Sequence, residues 1–130
     1  MSTTISEYYL DELERANRQV VAYRREIFEL ESKLAAVIRR NSIPGLAALV
    51  EQQQDKLNRV SKKFDLLQVQ FHQQQAALKT DDKFVDDSLI KTQTEVQQNE
   101  LRQLMQACEK EYVDAKHDCS NFLSGLFKKR

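Results

Sequence analysis

A chain of 130 residues is the length of one domain, and this one carries only two Gly, one Pro and no Trp. Sandwiches, barrels and doubly wound sheets need many turns, so that scarcity of turn residues argues against them and for an all-α chain. Twenty basic and twenty acidic side chains cancel, which removes any general attraction to nucleic acid.

The first predicted helix runs from about Thr4 to Arg40. Thr4-Ile5-Ser6-Glu7 has the form of a capping box, and Arg39 and Arg40 suit the negative end of a helix. Between them Tyr9, Leu13, Ala16, Val20, Tyr23, Ile27, Leu30, Leu34 and Val37 alternate steps of four and three. This is heptad spacing, held for about four heptads, and it predicts a coiled-coil seam. Leu10, Val21, Phe28 and Ile38 flank the stripe and predict a wider apolar face that touches two partner helices.

Asn41-Ser42-Ile43-Pro44-Gly45 breaks this helix, because Pro44 lacks a backbone donor and disfavours helix at Ile43. Pro44 also suits the first turn of a second helix, expected over about 44–79. Its seam is Leu46, Val50, Gln53, Leu57, Val60, Phe64, Leu67, Phe71, Gln74 and Leu78. The two glutamines either fix register or lie at the margin and reach solvent, and the second reading is the plainer expectation. A break at Pro44 that only kinked one long helix would leave seams for another copy of the chain to cover.

Thr80-Asp81-Asp82 offers N-cap side chains, so a third helix is expected over about 82–126. Val85, Leu89, Thr92 and Val96 open one seam; Leu101, Met105, Cys108, Tyr112, Ala115, Cys119, Phe122 and Leu126 form another. The step of five from Val96 to Leu101 predicts a stutter between them. Short connections make neighbours antiparallel, so the expected architecture is an up-down-up antiparallel three-helix bundle, or coiled coil, of long helices in a single domain over 1–130.

Chemistry is sparse. His72 and His117 stand apart, both glycines are isolated, and His117 and Cys119 point away from each other at a helical step of two. Cys108 and Cys119, eleven residues apart on one helix, are separated by about 16 Å and cannot form a disulfide. No enzyme, metal, cofactor or small-molecule substrate is expected. Reduced thiols, an N-terminus without a basic and apolar leader, and no apolar run of membrane-spanning length fit a cytoplasmic chain.

Two segments stand out as candidate partner-binding surfaces. If a long third helix starts at 82, it outruns the second opposite about Asp118. Phe122, Leu123, Leu126 and Phe127 would then overhang the rod, ahead of a basic tip at residues 128–130. Such an overhang could dock a protein or a second copy, with membrane contact at most peripheral. Alternatively Gly125 ends the helix, and Phe122 and Leu126 fold back as a lid. Leu66 and Val69 lie off the second seam amid Gln68, Gln70, Gln73, Gln74 and Gln75, the weaker candidate.

In helix count and length the chain resembles spectrin-like repeats and the small helical chaperones of secretion systems. It lacks the tryptophan of the former and the Trp-x-Gly turn of small secreted helical hairpins. The expected function is a non-enzymatic interaction protein, an adaptor or assembly subunit. The alternative is a small chaperone that holds an unfolded or secreted client along its seams.

Overall fold

Hydrophobic periodicity becomes three long helices: α1 over Ile5–Arg40, α2 over Leu46–Leu78 and α3 over Thr92–Lys128. The structure is a computed structural model; it describes residues 4–128 except residue 82, and the side chains of those residues up to 126. The helices pack on one another as an all-α three-helix bundle. Cross-helix pairs fix the directions. Lys56 meets Asp118 and Lys63 meets Glu111, so numbers rise on α2 as they fall on α3. Glu12 meets Arg102 and Glu26 meets Lys116, so α1 and α3 are parallel.

The start of α1 is capped as the sequence predicts. Thr4 Oγ1 accepts from the Glu7 amide at 3.2 Å, and the same hydroxyl donates to Glu7 Oε1 at 3.2 Å. The Glu7 carboxylate therefore closes the box on the Thr4 hydroxyl. At the other end Asn41 Nδ2 donates to the Val37 carbonyl at 3.0 Å, satisfying one of the last carbonyls. Ile43-Pro44-Gly45-Leu46 then turns the chain, with the Leu46 amide bonding the Ile43 carbonyl at 3.1 Å. Gly45 has φ 80° and ψ −9°, the third-position geometry of a type II turn, and Pro44 occupies the second. Pro44 thus belongs to the turn and α2 opens at Leu46. The break makes a hairpin of two packed helices.

The largest departure from the sequence reading lies between α2 and α3. Instead of capping a helix at 82, the chain forms a small antiparallel hairpin, β1 (Lys79–Thr80) with β2 (Lys83–Phe84), in register Lys79 to Phe84. Asp81 takes φ 51°, a left-handed conformation that Asp tolerates in tight turns. The expected N-cap at Asp82 lies outside the described residues. A short 3₁₀ turn at Asp87–Leu89 follows. This strap is tied to the start of α1: Ser6 Oγ donates to the Val85 carbonyl at 2.6 Å, and the Ile5 amide donates to Asp87 Oδ1 at 2.8 Å. A carboxylate on the first amides of a helix is favourable both as a cap and against the helix dipole. Leu89, expected on a seam, is 67% exposed.

All nine expected α1 seam residues lie in the core or pack against it, as do nine of the ten on α2, Gln53 being half-buried. Of the flanking α1 residues only Leu10 is buried, while Val21, Phe28 and Ile38 are exposed, so the apolar face is narrower than predicted. On α3 the seam is continuous through Gln98, Leu101, Met105, Cys108, Tyr112, Ala115 and Cys119. The predicted stutter is absent, because Val96 and Leu104 face outward and Gln98 carries the heptad phase back one step. Midway along the rod Tyr23, Phe64 and Tyr112 form an aromatic layer, with Tyr23 and Tyr112 stacked at 4.5 Å.

Candidate interaction surfaces

The predicted C-terminal overhang is not formed. Because α3 begins ten residues later than expected, its end is level with the turn between α1 and α2. Cys119 and Leu123 are buried, and Phe122 and Leu126 pack partly against the core. The helix also runs through Gly125, so no lid folds back. The side chains of Phe127 and Lys128, and residues 129 and 130, lie outside the described residues. One heptad step slides from Phe122 to Leu123, which sequence spacing had placed beside the seam.

Leu66 and Val69 are exposed on α2, as expected. Leu66 is not alone: with Leu104 and Ala107 of α3 it lines a shallow groove of about 280 Å³, at whose edge Lys63 pairs with Glu111. Leu104 is exposed on this outer face.

The α1–α3 interface is organised by charge. With the seam at heptad positions a and d, α1 presents Glu12, Gln19, Glu26, Lys33 and Arg40 at g, while α3 presents Arg102, Glu109 and Lys116 at e, and the next such position, Leu123, is buried. Arg102 Nε bonds both Glu12 oxygens at 2.8 and 3.0 Å, the Tyr23 hydroxyl donates to Glu109 at 2.8 Å, and Lys116 Nζ donates to Glu26 at 2.8 Å. Then the ladder stops. Beyond Lys116 a groove of about 500 Å³ opens, floored by Leu30, Val37 and Leu123 and flanked by Lys33 and Arg40. Neither cation has an acidic partner among the described residues. Glu29 and Lys33 have i,i+4 spacing on α1 but form no ion pair, whereas Asp11 and Arg15 at the same spacing pair at 3.1 Å.

At the opposite end the same interface holds a buried polar chain. Gln74 Nε2 donates to Gln98 Oε1 at 3.0 Å and to the Thr94 carbonyl at 2.8 Å. Gln98 Nε2 in turn donates to Glu12 Oε1 at 2.9 Å and to the Tyr9 carbonyl at 3.2 Å. Arg102 completes it, lying over the Tyr9 ring. Gln74 therefore does not reach solvent, contrary to the plainer expectation, and the network links all three helices in one register. Gln53 has no such chain: its Oε1 is buried without a partner.

The reactive side chains are quiet. Among the described residues no group of three His, Cys, Asp or Glu could hold a metal ion. Burial pushes the Cys108 thiol up, Glu111 adds to that and Lys63 opposes it. Burial likewise raises Cys119, with Lys33 pulling the other way. Tyr23 is raised by burial and then by its bond to Glu109. Thiols held neutral and enclosed are poor nucleophiles. No described helix is long and apolar enough to cross a membrane. Comparison with known protein families, curated proteins and solved structures finds no match.

Proposed function

We propose that this chain is a cytoplasmic, non-enzymatic helical interaction protein, an adaptor or a subunit of a larger assembly. The observation that carries the reading is a core already completed within the bundle while large apolar side chains stay on its outer faces. Leu66, at 67% exposure, and Leu104 share one groove on the α2–α3 face, with Val69 exposed one turn along from Leu66. Burying one such side chain against a partner is worth about 1.5–3 kcal/mol, so a contact of this kind is a natural anchor. The C-terminal anchor expected from the sequence moves to this face, since Leu123 is already enclosed by the protein itself.

Affinity capture from the protein's own cells, comparing wild type with Leu66→Asp/Leu104→Asp, tests the reading. A defined partner or second copy held by wild type should be lost by the variant, with helix content and melting unchanged. Equal capture by both chains would contradict it. The chaperone alternative requires a client whose presence raises the melting temperature, which thermal scans with and without an unfolded client would reveal.

A further inference from the structure

We propose that the groove between α1 and α3, at the end of the rod where α1 stops, is a docking site for an amphipathic helix of a partner protein, one that sets acidic side chains beside an apolar stripe. This goes beyond the α2–α3 face and does not depend on it. The argument is charge complementarity along a single helix pair. At the other levels described, a charged side chain on one helix meets a matching group on its neighbour: Glu12 with Arg102, Glu26 with Lys116. At the groove the matching position on α3 is Leu123, and α1 offers two cations instead, Lys33 and Arg40. They are seven residues apart, so they lie about 10 Å apart along one helix face, a spacing that acids two turns apart on an incoming helix reproduce.

Between the cations the floor is apolar. Leu30, Val37 and Leu123 are buried by the bundle yet line the groove, so an incoming Leu or Ile at i and i+3 or i+4 would finish covering them. The charged side chains that line the groove, Lys33 and Arg40, are both basic. Two copies of this chain meeting face to face here would set basic end against basic end, which disfavours an isologous dimer. The concave shape between two parallel helices admits a rod better than the flat surface of a bilayer.

The probe is a synthetic helix-forming peptide of about 20 residues, long enough to be helical when docked. It is fluorescein-labelled, with Leu along one face and Glu flanking it at seven-residue spacing; its control has Lys in place of every Glu. Fluorescence anisotropy with the full chain should show binding of the Glu peptide, weakened by salt, and none of the Lys peptide. Lys33→Glu/Arg40→Glu should lose roughly tenfold or more in affinity for the Glu peptide and gain the Lys peptide. Both residues are exposed, so melting should be unchanged. Failure of wild type to bind the Glu peptide, or equal binding by the reversed variant, would overturn the proposal. So would a self-association by light scattering, or binding to phosphatidylserine vesicles, that the same charge reversal abolishes. If the peptide fails here while Leu66→Asp/Leu104→Asp still abolishes capture, the groove is refuted and the interaction reading stands.

Discussion

The two ends of the α1–α3 interface use the same heptad positions in opposite ways. At the strap end a smaller groove of about 270 Å³ is floored by Leu13, Phe71, Leu101 and Met105, but its charges, Glu12 and Arg102, pair with each other, and the hairpin ties down the first turn of α1. At the turn end, Lys33 and Arg40 flank Leu30, Val37 and Leu123 in an open groove. Both ends belong to the same two parallel helices, and they differ in whether the charges beside the seam are paired with each other or left without an acidic partner among the described residues. The strap end specifies register; the turn end offers surface.

The Tyr23–Phe64–Tyr112 layer lies between the two ends and belongs to both. Phe64→Ala removes a fully buried ring, and denaturant unfolding should report a loss of about 3–5 kcal/mol. If the bundle is one cooperative unit, probes at either end should lose structure together; separate transitions would show that the ends are independent.

Gln98→Ala attacks the strap end alone. It removes one of the two bonds of the Gln74 amide and the bonds that Gln98 gives to Glu12 and the Tyr9 carbonyl, and should cost about 1–3 kcal/mol by denaturant melts. A neutral result would mean that the polar chain does not set register. Arg102→Ala removes a partly exposed pair and should cost less, about 1 kcal/mol at most, with the loss shrinking in high salt.

The thiols give the gentlest test, because both are held by the shared core. Thiol reagent should label neither Cys108 nor Cys119 in the native protein and both in denaturant. Both folded values are raised, so the stability tied to neutral thiols is fully present below the ordinary value of 9.0 and is lost as pH climbs above it. Denaturant melts across that range should fall more steeply for wild type than for Cys108→Ser/Cys119→Ser.

Local periodicity was enough to place the α1 and α2 seams, because burial of heptad residues repeats within a few turns. The start of α3 was not legible. Val85 and Leu89 imitate a seam, and what holds them out of helix is remote: Asp87 caps Ile5 and Ser6 binds the Val85 carbonyl. The C-terminal overhang followed from that misplaced start, since ten residues of strap restore the match in helix length. The groove was equally hidden, because it depends on which α1 residue meets which α3 residue across some ninety positions of sequence. Leu66 and Val69 were visible as off-seam apolar residues, but Leu104, which shares the groove with Leu66, comes from another helix, and no local spacing joins the two.

The most direct test that the last turns of α3 belong to the core is to compare the full chain with one ending at Asp118, by circular dichroism melting and light scattering. Cys119 and Leu123 are core residues here, so the shortened chain should melt well below the full chain and expose its α1 and α2 seams. A shortened chain that stays as stable as the full one would return these residues to a free overhang and contradict the account.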